Sequence, residues 1–262
     1  MSQELLEVKR GRVSRRQHGV MSGDPSLTAE FWMGLCGNPD PTSREKFLYL
    51  TIDEFSRSGP GGFSHAKIAR RLGVTVAMIN HYFGSRNGLI SEGAFTVYSN
   101  YIDALAAAVR DAPRDPVARL RAWISTQISY SVSVAGWQAV LNYPTLTLED
   151  PLEFASIFRE RMSEKFNINM ARLGQLILDV KSGEVFPQEI DETNVNFAHY
   201  MSNIKLVSLA TCVGMATMGA AVWASGAHTP SAESAEAKQL GDFALSEHMN
   251  HLIRLVQLTD LS

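Results

Sequence analysis

The feature that most constrains this chain is a pair of short amphipathic segments that meet at a glycine, within residues 43–90. Ser64 is placed to cap a helix over HAKIARRL, and Thr75 is placed to cap a helix over VAMINHYF. Gly73 lies between them, where a left-handed backbone is needed and glycine adopts it without a Cβ clash. Two short helices joined by a three- to four-residue turn that contains glycine are typical of a helix-turn-helix. The spacing therefore predicts that motif here.

Helices are predicted on both sides of the motif. Ser43 can cap a preceding helix that ends at the glycine-rich run GPGG, and Ser85 can cap a long helix that runs towards Arg110. The apolar positions of the preceding helix share one face: Phe47, Leu48, Thr51, Ile52 and Phe55. Ile68, Leu72, Ile79 and Phe83 are expected in the core, and Ala69 lets the two motif helices approach.

The remainder of the chain is also read as helical, with sparse strand signal, so the predicted fold class is all-α. Further helices are expected at 116–134, 136–143, 151–181, 191–225 and 232–258. The expected domains are a flexible basic arm and linker at 1–42, the helix-turn-helix domain at 43–90, and a larger helical domain at 91–262.

Charge is unevenly distributed along the chain. Residues 1–42 carry five Lys/Arg and five Asp/Glu, residues 43–90 carry seven and three, and residues 91–262 carry twelve and nineteen. A basic module of net charge +4 is thus followed by an acidic body of −7, which would orient the molecule on DNA; an offset of +4 also arises by chance. The basic stretch at 9–16 is either a minor-groove arm or an unbound tail.

The segment 206–232 contains no Asp, Glu, Lys or Arg and exceeds the ~20 residues that a membrane-spanning helix needs. Its interior is rich in Gly, Ala, Ser and Thr, and no cluster of Lys and Arg flanks it, which favours a soluble helix–helix interface. A helical membrane-associated protein is the alternative. The N-terminus has no apolar signal region, and Cys36 and Cys212 form no motif, which fits a cytoplasmic protein.

The string FSHAKIARRLGVTVAMINHYFGSRNGLI, preceded by REKFLYLTIDEFSRSG, resembles the signature of TetR-type transcriptional regulators. The specific resemblance covers residues 43–90. It implies a ligand-responsive DNA-binding regulator, most simply a repressor that binds a palindromic operator as a homodimer and is released by a small-molecule effector.

The resemblance also implies which side chains meet DNA. Base edges would be read by Val76, Ala77, Met78, Asn80 and His81, and phosphates would be met by Ser64, His65, Thr75, Tyr82 and Arg86. Tyr82 could instead belong partly to the core, and His65 could be a plain solvated residue. Asn80 and Arg86 replace a Tyr and a Lys that are common there. Gly88 replaces a usual helix former, so the fourth helix is expected to begin loosely.

For the larger domain the resemblance implies effector binding, and dimerisation through the last two helices, 191–225 and 232–258. Candidate pocket residues are Trp123, Gln127, Tyr130, Trp137, Tyr143, Phe158, Met162, Phe166, His199 and Asn203. Aromatic and Met side chains at helical spacing are as consistent with ordinary core. An apolar or aromatic effector is expected, because no basic cluster in the body demands an anion.

Enzyme signatures are absent from the sequence: there is no GxSxG, Walker A, HExxH or dinucleotide fingerprint. His248 and His251, with Glu247 beside them, could hold a metal, but a lone HxxH is more typical of a solvated helix face. The sequence therefore predicts a protein that is not an enzyme and needs no cofactor.

Overall fold

The computed structural model describes residues 23–134, 137, 140–141, 151–188, 190, 197–224 and 235–261. Throughout these ranges the chain forms helices and their connections without a strand, which confirms the all-α fold class. The helices are α1 (Ala29–Cys36), α2 (Ser43–Gly62), α3 (His65–Arg71), α4 (Ala77–Phe83), α5 (Arg86–Asp111), α6 (Pro116–Ser133), α7 (Pro151–Ser182), α8 (Phe197–Ser202), α9 (Ile204–Ala224) and α10 (Ala235–Leu258).

The N-cap of helix α2 is Thr42, one residue before Ser43, which the sequence analysis predicted as the cap. The backbone N–H of Glu45 donates to Thr42 Oγ1 at 3.3 Å, and the Thr42 N–H donates to Glu45 Oε2 at 2.7 Å. These reciprocal bonds form a capping box. They also lower the pKa of Glu45. At the other end Gly59 breaks the regular helix with φ 63° and ψ −175°.

Helix α1 lies in the range 1–42, where the sequence analysis predicted an arm and a linker and no helix. Thr28 caps it by accepting from the Phe31 N–H at 3.2 Å, and Gly37 ends it in a left-handed conformation. Trp32 is only 3% exposed and packs in the same core as the helix-turn-helix, and Leu27, Phe31 and Leu35 pack against that core, so burial of these side chains explains why the segment folds. Residues 1–22 of the predicted arm lie outside the described ranges.

The predicted uncharged helix at 191–225 is not one helix. Residues 191–196 lie outside the described ranges, α8 ends at Ser202, and α9 begins at Ile204. Between them Asn203 Oδ1 accepts from the Leu206 N–H at 3.0 Å. Asparagine satisfies the free N–H groups at a helix start, so it begins a new helix where the apolar pattern alone suggested continuity.

Two hydrophobic cores share helix α5. Its first half contributes Leu89, Ala94 and Val97 to the N-terminal core, which also contains Trp32 and the helix-turn-helix, and its second half contributes Leu105 and other residues to the body core. The 26 residues of α5 span ~39 Å at 1.5 Å per residue. One continuous helix thus connects the helix-turn-helix to the larger helical body.

Candidate nucleic-acid interface and internal cavity

The turn between α3 and α4 has the predicted left-handed glycine. Ser64 caps α3 by accepting from the Lys67 N–H at 3.3 Å, and Gly73 has φ 69°. The Gly73 N–H donates to the Arg70 carbonyl at 3.0 Å, and the Val74 N–H donates to the Ala69 carbonyl at 3.0 Å. These bonds satisfy the last carbonyls of α3 and fix the direction of α4.

Helix α4 begins differently from the prediction that Thr75 caps it. Its N-cap is Val76, with φ −58° and ψ −28°, and no side chain caps it. Instead the Met78 N–H donates to the Thr75 carbonyl at 3.1 Å, and the Ile79 N–H donates to the Val76 carbonyl at 2.9 Å. A tight i→i+3 turn therefore starts the helix in place of a side-chain cap.

The outer face of α4 is open to solvent. Ile79 is 1% exposed and anchors the helix to the N-terminal core, whereas Asn80 and His81 are both exposed. The residues before them are exposed as well: Thr75, Val76 and Ala77. A short helix with one buried anchor and polar residues on its free face has the shape needed to enter a major groove.

Met78 and Tyr82 are half-buried and pack against the N-terminal core. The Tyr82 ring lies 6.2 Å from the Phe47 ring and 5.0 Å from the His81 ring, measured between centroids. Tyr82 is thus partly a core residue, and its position also orients the exposed imidazole. Ser64 and His65, at the start of α3, are half-buried too.

The start of α5 is tightly built, contrary to the expected loose beginning. Ser85 Oγ accepts from the Gly88 N–H at 2.9 Å. A Cβ on Gly88 would lie 2.0 Å from the Phe83 carbonyl oxygen, so only glycine fits. The half-buried Arg86 stacks its guanidinium 5.5 Å from the Phe63 ring centroid.

Most cations of residues 43–90 have a carboxylate within 4 Å: Arg44, Lys46, Arg57, Lys67 and Arg71. Lys67, for example, lies 2.6 Å from the Glu54 carboxylate. In the part of the chain that the structure describes, Arg70 and Arg86 have no such carboxylate. Arg70 is exposed on α3 beside the turn. The sequence analysis did not identify Arg70 as a candidate, because the ion pairs that occupy the neighbouring cations form only in the folded chain.

A cavity of about 470 Å³ lies in the body between α5, α6 and α7. Its walls are largely aromatic and apolar: Val97, Tyr98, Tyr101, Gln127, Tyr130, Ser131, Val134, Leu141, Phe154, Phe158, Arg159, Met162, Ser163, Phe166, Asn167 and Met218. Five candidate residues from the sequence line it: Gln127, Tyr130, Phe158, Met162 and Phe166. Volume and lining are those of a small-molecule site.

Three other candidates are placed elsewhere. Trp123 is in the body core and donates from Nε1 to Asn169 Oδ1 at 3.3 Å. Trp137 stacks on Phe55 at 4.3 Å between centroids. Asn203 caps α9. Tyr143 and the side chain of His199 lie outside what the structure describes.

Sequence reasoning missed the tyrosines that α5 contributes to the cavity, Tyr98 and Tyr101. Their i, i+3 spacing places them on one helical face, and that signal could have flagged them. The hydroxyl of Tyr130 donates to the Val97 carbonyl at 2.9 Å. Burial, with a contribution from Asp103, raises the pKa of Tyr130 to about 12, and burial also raises the pKa of Tyr98 and of Tyr101. All three hydroxyls are therefore neutral at physiological pH.

Two contacts connect the cavity walls to α2. Arg161, on the α7 segment that lines the cavity, lies 2.6 Å from the Glu92 carboxylate, and Arg44 of α2 lies 3.3 Å from it. Burial acts to raise the pKa of Glu92, but the hydrogen bond and charge of Arg161, together with Arg44, lower it below the ordinary 4.5. The carboxylate therefore stays charged between two cations.

The second contact is the Trp137 indole. Its Nε1 donates to the Ile52 carbonyl in α2 at 3.1 Å, and its other edge fills the space that Gly93 leaves open in α5. A Cβ on Gly93 would lie 2.6 Å from the indole. Trp137 is thus wedged between α2 and α5, four residues before the cavity residue Leu141.

Helix α9 is the only helix in the described ranges that is long and apolar enough to cross a membrane, and a third of its most apolar window is buried. Its inner face, with Leu209 and Val213, belongs to the body core. Its outer face carries large exposed side chains, as does the neighbouring α10: Ile204, Met215 and Trp223 on α9, and Phe243, Leu255 and Leu258 on α10. A core helix of a soluble protein passes the same test of length and composition.

The described residues contain no group of three or more His, Cys, Asp or Glu that could hold a metal ion. The Glu247 carboxylate beside the HxxH pair instead accepts from Asn250 Nδ2 at 3.1 Å. Asn250 Oδ1 in turn accepts from Arg121 at 3.0 Å, so this face of α10 is tied to α6.

Comparison with known proteins gives one family match and several relatives. The sequence model described as "Bacterial regulatory proteins, tetR family" matches residues 48–92. The HTH-type transcriptional regulator BetI of Burkholderia thailandensis is 32% identical over 114 residues, covering 39% of this chain and 57% of that protein. BetI of Stenotrophomonas maltophilia is 26% identical over 115 residues, covering 41% of this chain and 59% of that protein. The matched part therefore spans less than two thirds of these relatives' length.

Among solved structures, a TetR transcriptional regulator from Streptomyces coelicolor is similar with a TM-score of 0.42 at 18% sequence identity. The alignment covers 80% of this chain and 98% of that one.

Proposed function

We propose, from the premise that this chain belongs to the tetR family of bacterial regulatory proteins, that it binds double-stranded DNA and regulates transcription. The observation that carries the proposal is the exposed face of α4, where Asn80 and His81 stand free while Ile79 holds the helix in place. Both side chains can hydrogen-bond base edges. Val76, Ala77 and Met78 make apolar contacts, of which Met78 has the least free surface.

Phosphate contacts would surround this reading face. Ser64, His65, Thr75, Tyr82 and Arg86 are the side chains proposed for them, and the exposed Arg70 joins the set because no carboxylate of the described residues lies within 4 Å of it. Arg86 can use its guanidinium edge on a phosphate while its face stays on the Phe63 ring.

The test is a selection of bound duplexes from a random pool, followed by affinity measurements on the selected sequence. The double variant Asn80→Ala, His81→Ala should lose the preference of the unmodified protein for the selected sequence over random DNA. Glu164→Gln, on an exposed position of α7, is the matched control and should retain it. If no sequence is enriched, or if the double variant enriches the same sequence equally well, the proposal fails.

We further propose a homodimer through α9 and α10 that reads a palindromic operator. Support comes from large apolar side chains that are exposed on the last two helices, Met215 and Trp223 on α9 and Phe243 and Leu258 on α10. Two copies related by a two-fold axis would present two reading heads to two half-sites. Membrane association through α9 is the second candidate, and solubility of the purified chain without detergent separates the two.

The proposed response to an effector is release from DNA, which makes the protein a repressor. Support comes from Arg161–Glu92–Arg44 and from Trp137, since both connect cavity walls to α2 beside the reading heads. A ligand that moves α7 or the Trp137 segment would shift α2 and change the spacing of the heads in a dimer. An effector that fills the cavity and leaves operator affinity unchanged would contradict this part.

We propose that the protein acts in the cytoplasm as a regulator and not as an enzyme. Members of its family are generally DNA-binding regulators, and the sequence carries no catalytic signature. Turnover that survives substitution of the α4 residues would contradict this.

A further inference from the structure

A residue of the cavity wall carries a buried hydrogen-bond acceptor that has no partner among the described residues. Gln127 is 3% exposed and lines the cavity from α6. Its Nε2 donates to the Gly214 carbonyl of α9 at 3.5 Å, while its Oε1 is buried without a hydrogen-bond partner. A buried carbonyl oxygen without a donor costs free energy, and such groups are rare in folded proteins.

The orientation of the Gln127 amide follows from its neighbour. A backbone carbonyl can only accept, so the Gly214 oxygen requires the NH2 group of the amide and turns Oε1 away from itself. A molecule that satisfies Oε1 must therefore donate. Ser131, one helical turn further along α6, is 3% exposed and lines the same cavity, and Ser163 and Asn167 add uncharged polar groups from α7.

The rest of the wall selects against charge and for flat rings. Among the described residues that line the cavity there is no Asp or Glu, and the three tyrosine hydroxyls are held neutral by burial. The lining cation is Arg159, which is exposed on α7 and therefore screened by water. The Phe154 and Phe158 rings stack at 5.3 Å between centroids, and Tyr98 meets Phe158 edge-on at 5.9 Å. These faces and edges suit an aromatic ligand.

We infer that the cavity binds an uncharged aromatic molecule whose hydroxyl or N–H group donates a hydrogen bond to Gln127 Oε1. This names the class of effector and rests on the proposed ligand-responsive function. Because Gln127 already bridges α6 to the Gly214 carbonyl, the ligand's donor completes a chain that runs from the cavity to α9. The volume of about 470 Å³ admits a molecule of two or more fused or linked rings.

The test uses two probes of nearly equal size, 4-phenylphenol and 4-methylbiphenyl, which differ by a hydroxyl against a methyl group. Binding is measured by calorimetry on the full-length protein without DNA. The unmodified protein should bind the phenol about 5- to 10-fold more tightly, a ratio typical of one neutral hydrogen bond. In Gln127→Leu the preference should disappear or reverse. Ser125→Ala, an exposed change on the same helix, should keep it.

Several outcomes would overturn the inference. Equal or weaker binding of the phenol by the unmodified protein refutes the hydrogen bond to Oε1, and this result stands even if Gln127→Leu does not fold. Tighter binding of biphenyl-4-carboxylate or of a biphenyl bearing a trimethylammonium group refutes the uncharged class. Absence of binding by all four probes refutes an aromatic site. DNA affinity is measured separately without probe, so a failure of the proposed regulator function is distinguished from a failure here.

Discussion

At the scale of residues, the proposed contact between α4 and DNA depends on a few side chains. His81 is exposed, and its imidazole lies edge-on against the half-buried ring of Tyr82. Arg86 has no carboxylate within 4 Å in the described part of the chain and is held on Phe63. His81 can read a base edge and Arg86 can contact a phosphate, so the two substitutions should change different properties of DNA binding.

Substituting each residue in turn should separate an effect on sequence preference from an effect on the salt dependence of affinity. His81→Ala should change which sequence is preferred, because a base contact is lost. Arg86→Ala should weaken binding to all sequences and reduce the slope of log affinity against log salt by about one. Titrations of selected and scrambled duplexes at several salt concentrations provide the measurement. A uniform loss of affinity for both variants would show that the residues are assigned to the wrong roles.

At Gly88 the neighbouring backbone leaves no room for a side chain. A Cβ there would lie 2.0 Å from the Phe83 carbonyl oxygen. Gly88→Ala should therefore lower the free energy of unfolding by about 1–3 kcal/mol, as overpacking does. Urea unfolding measures this. Gly34→Ala in α1 is the control, because nothing lies within 4 Å of its Cβ, and it should be neutral or stabilising.

At the scale of helices, the ends were more predictable than the faces. Ser64, Gly73 and Ser85 were identified from the sequence because capping and left-handed turns depend on a few adjacent residues. The break at Asn203 was missed because a long apolar pattern concealed a local cap. Helix α1 was missed because its stability depends on the packing of Trp32, Phe31 and Leu35 against the N-terminal core, within a Gly- and Pro-containing segment.

The cavity was only half predictable from the sequence. Gln127 and Phe158 were identified, but Trp123 has the same kind of pattern and lies in the body core. Tyr98 and Tyr101 line the cavity although they belong to the connecting helix α5. Which aromatic residue borders a cavity depends on how α5, α6 and α7 pack together, and this information is not contained in the periodicity of any single helix.

The contact between α2 and α7 should depend on pH. Glu92→Gln removes the charge between Arg161 and Arg44 and should lower the free energy of unfolding at pH 7 by about 1 kcal/mol or less. The folded-state pKa of Glu92 lies below its ordinary value of 4.5. Its contribution is therefore present above pH 4.5 and is lost as pH falls through the lower folded-state value.

Urea unfolding of both proteins from pH 7 down to pH 3 checks this. The difference between them should shrink in the acid range, whereas Asp111→Asn, an exposed carboxylate on the same helix, should show little difference at any pH. A Glu92→Gln difference that stays constant from pH 7 to pH 3 would contradict the role of the ionised carboxylate.

At the scale of the whole molecule, the proposed dimer surface is the outer face of α9 and α10. Met215 is 67% exposed on α9, and a charge there would be buried unpaired in a dimer. Met215→Lys should convert the dimer to a monomer in sedimentation experiments and weaken binding to a palindromic operator. Val132→Lys, 40% exposed on α6, is the control and should stay dimeric. An unmodified chain that sediments as a monomer at all concentrations would contradict the proposal.

The central claim is that α4 lies in the major groove of its operator, and cleavage of DNA from a tethered reagent tests it most directly. An iron chelate is attached at Asn80→Cys, in a background where Cys36 and Cys212 are replaced by serine, and the selected duplex is mapped after radical cleavage. Strand breaks should cluster within each half-site, and a chelate at Glu164→Cys on α7 should leave those positions intact. Identical cleavage patterns from the two tethers, or no cleavage from α4, would contradict the account.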